Sequence, residues 1–221
     1  MRIRHSPPLA SLFILMLAAA QVAAQSASAG RAGRRALLPR QHEIALARSA
    51  APRAVTDSAT VYAFTDSGYA VAVTGSNGVG CYVSRSWPES LEPHCFDAEG
   101  AATIMPMEMR RVELLHRGSA LPEVERVIAD GLASGRFRLP RRPAMSYMMS
   151  GAQVLYNDEG RRVGRWQPHL MIYYPFLTGP ELGLAGDDVN TAVLVDPGKP
   201  TSNMMIVLRQ FVELATSGVG P

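Results

Sequence analysis

Two helical periods set into the middle of a strand-rich chain constrain the fold most. In PMEMRRVELLHRG, residues 106–118, the apolar residues Met105, Met109, Val112 and Leu115 recur at steps of three and four, and Gly118 is a natural stop. SALPEVERVIADGLASG repeats the plan, with a stripe of Leu121, Val124, Ile128 and Leu132 that ends at Gly135. On the N-terminal side lie ATVYAFT, YAVAVT and VGCYVSR, which read as three strands. They are separated by DSG and by GSNG, residues 75–78, whose Asn77-Gly78 pair is a hairpin signal. On the C-terminal side SYMM, QVLY, HLMIYYPF, AVLV and NMMIVL read as about five short strands, with NDEG a turn before RRVGRW. Segregated strands and helices predict an α+β fold. Its antiparallel sheet combines an N-terminal three-strand meander with the C-terminal strands, and the helix pair covers one face.

The first residues predict a compartment. Arg2 and Arg4 precede a short apolar run, Leu9–Ala20, and Val22-Ala23-Ala24 supplies small residues for cleavage after Ala24. That is the layout of a secretory signal peptide, with Ala27-Ser28-Ala29 as an alternative site. The run is shorter than the roughly 20 residues a membrane-spanning helix needs, and no later segment reaches that length. The expectation is a periplasmic or secreted protein with no transmembrane segment after cleavage.

Removing the leader changes the charge. The full chain carries 22 basic and 19 acidic residues, and losing Arg2 and Arg4 leaves 20 against 19. Nucleic-acid binding is not expected, because such proteins carry a net basic field. All the basic residues except Lys199 are Arg. Residues 25–54 read as an Arg-rich flexible arm holding one short helix within LLPRQHEIALARSA. Residues 55–214 form a single domain, and 215–221 a frayed tail. The arm could touch an anionic envelope surface, although a solvated arm is the plainer reading.

Export gives the two cysteines a meaning. Cys81 and Cys95 would meet an oxidising environment, where paired thiols join. The loop so closed is about 15 residues and contributes ~3 kcal/mol by chain entropy. Metal ligation and free or intermolecular thiols are the alternatives. His94, Glu92 and Asp97 lie close by, but no metal-ligand spacing is present. Pro88 and Pro93 predict irregular backbone between the cysteines.

Catalytic signatures are missing from the sequence. GSNG and SGA do not make a Gly-x-Ser-x-Gly elbow, DPGKPT lacks the second glycine of a phosphate loop, and GSNGVG leads into a strand instead of a helix. No cofactor and no metal is expected. The Met residues fit core filling better than copper ligation. Among the histidines, His169 in WQPHLMIYY is the best catalytic candidate, although a structural role in a strand is the plainer reading. Asp97, Glu99, Asp187 and Asp188 are the loop carboxylates that could partner it.

EIALARSAAP, GSNGVGCYVSR, the CFDAEG of Cys95–Gly100, RFRLPRRPAMSYMMS and PHLMIYYP together resemble a group of exported bacterial proteins of about this length that has no assigned activity. The resemblance implies an exported bacterial protein and points to those segments as the place to seek a site. It brings no residue roles. Two functional expectations follow. One is a non-enzymatic domain that binds a small ligand or an envelope partner, with the Gly/Pro-rich loop at 175–186 as a feature. The other is a hydrolase-like or metal-dependent enzyme using His169 with Asp97 or Glu99.

Overall fold

The computed structural model describes residues 32–157, 159–184 and 193–214. The expected leader, its cleavage site, the tail at 215–221, Asp187 and Asp188 lie outside the described residues. The fold is α+β with a mostly antiparallel sheet. In chain order the elements are helix α1 (Arg40–Arg48), helix α2 (Arg53–Thr56), strands β1 (Thr60–Thr65), β2 (Gly68–Val73), β3 (Gly80–Ser84) and β4 (Glu92–Phe96), then helices α3 (Ala98–Ala102), α4 (Ile104–His116) and α5 (Leu121–Ala133). Strands β5 (Ala144–Met148), β6 (Leu155–Tyr156), β7 (Arg162–Gly164), β8 (His169–Tyr173), β9 (Val193–Val195) and β10 (Asn203–Val207) follow. Eight strands form one sheet in the order β2-β1-β3-β4-β5-β8-β10-β9, and β6 and β7 form a separate hairpin.

The N-terminal strands are not a meander. β1 and β2 form the hairpin that Asp66-Ser67-Gly68 predicts, but β3 pairs with β1, in parallel, on the side away from β2. GSNG is therefore a crossover and not a hairpin turn. Ser76 N–H donates to the Ser58 carbonyl and the Asn77 amide donates to the Val55 carbonyl, which pins the crossover on the chain leading into β1. Gly75 passes so close that an added Cβ would lie 2.2 Å from the Ala59 backbone. The Asn-Gly turn forms locally, yet its exit is steered past β1.

Between the cysteines the backbone around Pro88 is irregular as expected, but β4 puts Pro93 in a strand. It pairs antiparallel with β3, and Cys81 and Cys95 are direct register partners, bonded with a Cα–Cα distance of 4.1 Å. The disulfide staples two adjacent strands. Pro93 is tolerated because β5 pairs only with Cys95 and Phe96, so Pro93 lies beyond that ladder.

Helices pack on both faces of the central strands. Cys81, Val83, Cys95 and Val61 point to one side and pack on Leu46 and Ala47 of α1. Tyr82 and Phe96 point to the other side and pack with Ile104, Met105 and Met107 of α4. Helix α5 reaches this second cluster through Ile128, while Val124 packs with Leu114 and Leu115 of α4. Gly118 and Gly135 end the two helices with φ of 89° and 73°, as their positions in the sequence predict.

The described part of the expected flexible arm belongs to the body. Glu43 of α1 is fully buried and forms a bidentate ion pair with Arg85, at 2.9 and 2.6 Å. The Arg85 Nε–H donates to the Ala36 carbonyl, and the Arg35 side chain donates to the carbonyls of Arg85, Ser86 and Gly33. The backbone N–H of Arg35 donates to Nδ1 of His116 at 2.8 Å. Burial, then the neighbouring Arg34 and Arg35, hold the His116 pKa below the ordinary imidazole value, in keeping with an accepting ring nitrogen. Arginine composition suggested a solvated arm, but Arg35 is buried and donates to three backbone carbonyls.

Candidate functional site

The sequence candidates do not converge. His169 opens β8, is 3% exposed, and its Nδ1 lies 2.6 Å from the Gln167 carbonyl, so Nδ1 carries the proton and donates. Burial lowers its pKa. Asp97 caps α3 by accepting the Gly100 N–H at 2.7 Å. Glu99, in the first turn of α3, accepts the Arg141 backbone N–H at 2.9 Å and the Arg142 Nε–H at 3.0 Å. The Arg141 N–H, then the Arg142 guanidinium, hold the Glu99 carboxyl below the usual carboxylate range. Among the described residues, no hydrogen bond or ion pair joins His169 to Asp97 or Glu99. His94 is also buried, with its ring 4.3 Å from that of Phe96 and stacked at 5.7 Å on Tyr82. Burial, then the proximity of His169, push its pKa down to about 3. These histidines are sheet residues with neutral rings. No group of three His, Cys, Asp or Glu side chains suited to a metal ion occurs among the described residues.

Glu99 nevertheless leads to a different site. The connector from α5 to β5 bends at Arg136 and Phe137 just after Gly135. Phe137 N–H donates to the Gly131 carbonyl, and its ring lies where a Gly131 Cβ would be, 2.2 Å away. Phe137 and Leu139 pack inward while Arg136 and Arg138 are exposed, so strand-like alternation puts the guanidiniums outside. Pro140 and Pro143 then bracket a bend at Arg141 and Arg142. Glu99, reaching from the α3 turn that Asp97 caps, holds it in place.

This connector walls two adjoining clefts. The smaller, about 220 Å³, is lined by Glu99, Ala102, Thr103, Arg138, Leu139 and Arg141. The larger, about 410 Å³, is lined by residues 139–143 on one side and Tyr174, Pro175 and Phe176 on the other. Leu139 and Arg141 border both. Among the described residues, no carboxylate forms an ion pair with the guanidinium of Arg138 or Arg141. Tyr174 and Phe176 are each 54% exposed although they follow a buried strand. Phe176 has φ 65°, in the left-handed region that costs a bulky residue roughly 1–2 kcal/mol. Its N–H donates to the Lys199 carbonyl, Tyr174 N–H donates to the Ser202 carbonyl, and Gly198 N–H donates to the Leu177 carbonyl. The surrounding turn thus holds the backbone in a conformation that puts a ring in solvent, where it gains no burial. Such residues cluster at ligand sites.

The sequence does carry a signal for this segment: four arginines fall within residues 136–142 with no acidic residue among them. The loop after Pro175 was expected as a binding feature, and its first residues line the larger cleft. No family model, curated protein or solved structure matches the chain.

Proposed function

We propose that this is an exported bacterial domain, periplasmic or secreted, that binds a small ligand in the double cleft between residues 138–143 and 174–176. The single observation behind this reading is the pair of guanidiniums without an ion pair among the described residues, Arg138 and Arg141, beside two exposed rings, one of them on strained backbone. The leader-like first residues, the Cys81–Cys95 bond and the lack, among the described residues, of a helix long and apolar enough to cross a membrane all fit export. The enzyme reading draws no support from the separation of His169, Asp97 and Glu99. The test is to recover the chain from its native host and identify the bound molecule by mass spectrometry. The molecule should be lost from an Arg138→Gln, Arg141→Gln double variant. Full retention in that variant would remove the cleft from consideration.

A further inference from the structure

The cleft has two chemically distinct halves, and their composition defines a ligand class more narrowly than the binding reading on which this inference rests. The smaller half holds the polar groups. Arg138, Arg141 and Glu99 line it, and Arg142 is joined to Glu99 at 3.0 Å. Three guanidiniums against one carboxylate leave a charge of +2. Glu99 is engaged directly by Arg142 and the Arg141 backbone, and it feels the Arg141 guanidinium only through space, without an ion pair. Two planar forks with no ion-paired carboxylate among the described residues, each able to donate a pair of parallel hydrogen bonds, suit a compact oxyanion carrying close to two charges. A phosphate monoester has that charge at neutral pH, with its second pKa near ~6. A carboxylate carries half of it.

The larger half carries the rings. Tyr174 and Phe176, both exposed, line it with Leu139, Pro140, Pro143 and Pro175, and Arg141 and Arg142 stand on the connector side. It offers faces for stacking and no further acid. Arg141 and Leu139 stand at the junction, so an anion held in the small half leaves its substituent over the aromatic faces. We infer that the cleft binds a phosphate monoester whose ester group is a ring or another apolar body: the phosphate sits between Arg138 and Arg141, and the body lies against Tyr174 and Phe176. The phosphate could belong to a soluble ester or to a lipid headgroup, and the two sources can be separated experimentally.

The probes are phenyl phosphate, inorganic phosphate and benzoate, titrated calorimetrically into the exported chain with the disulfide intact. Phenyl phosphate should bind at least tenfold more tightly than either of the others. Its affinity should fall several-fold between pH 7.5 and pH 5, as the dianion takes up a proton, while benzoate binding changes little. Arg138→Gln and Arg141→Gln should each weaken phenyl phosphate about tenfold and erase its advantage over benzoate. Phe176→Gly should weaken phenyl phosphate but leave inorganic phosphate unchanged, a split that a folding defect would not produce. Capture on phosphatidic acid vesicles, absent on phosphatidylcholine and competed by phenyl phosphate, assigns the ester to a lipid. Phenyl phosphate binding without capture assigns it to a soluble molecule. Equal affinity for phenyl phosphate, inorganic phosphate and benzoate, or indifference to Arg141→Gln, overturns the inference. A native ligand that is lost from the double Arg variant but contains no phosphate overturns it too, while leaving the cleft as the site.

Discussion

His94 should make the protein acid-sensitive by an amount the structure sets. Its ring contacts those of both Tyr82 and Phe96 on one face of the sheet, and the residue is 5% exposed. Its Nε2 is buried with no protein partner. A charge on that ring would be unsolvated, so the folded-state pKa drops from 6.5 to about 3. The nearby His169 adds to the same direction. A depressed imidazole pKa means the unfolded chain takes up the proton first. The contribution is fully present above pH 6.5, declines as pH falls below it, and levels off near pH 3. The slope between those limits approaches 1.4 kcal/mol per pH unit, so going from pH 7 to pH 5 costs about 2 kcal/mol from this residue alone. Domains of this kind have roughly 5–15 kcal/mol to lose. His116 and His169 are depressed as well and steepen the total. Urea unfolding followed by circular dichroism at pH 7 and pH 5, on the native chain and on His94→Phe, isolates the share of His94. Any change in packing costs the same at both pH values and cancels in the comparison. The expected result is a pH-dependent loss smaller by about 2 kcal/mol in the variant. Equal losses in the two proteins would refute the reasoning.

The buried Glu43–Arg85 pair gives a second test: Glu43→Gln leaves an uncompensated guanidinium in the core and should cost about 3–5 kcal/mol by denaturant midpoint, with much of it recovered when Arg85→Met is added. Reduction of Cys81–Cys95 should lower stability by ~3 kcal/mol, and thiol alkylation monitored by intact mass should label both cysteines only after reduction. Phe176→Gly relieves a left-handed φ and should raise or preserve the unfolding midpoint, by up to about 1 kcal/mol, while weakening the cleft ligand. A fall in both stability and binding would show that the ring packs for structure and not for recognition.

Much of the fold can be read locally. The steps of three and four in α4 and α5, with Gly118 and Gly135 as stops, follow from helix periodicity and from the freedom of glycine at positive φ. The short apolar runs of β1, β2, β8 and β10 likewise mark strands. Export chemistry makes Cys81–Cys95 the natural pairing of two thiols. The site is less legible. Arg138 and Arg141 stand out only once Glu99, some forty residues earlier in the chain, is seen to hold the connector, and once Tyr174 and Phe176 close the other wall.

The sequence by itself determined which segments coil, which extend and which two sulfurs can meet, because those depend on spacings of a few residues. Only the tertiary structure decided that β3 lies parallel to β1 past the Asn77-Gly78 turn, that Pro93 sits in a strand, that α1 covers the second face of the sheet, and that Arg85 finds Glu43. Each of those outcomes depends on which sheet edge or buried charge is available at long range, and chain-local periodicity carries no record of that competition.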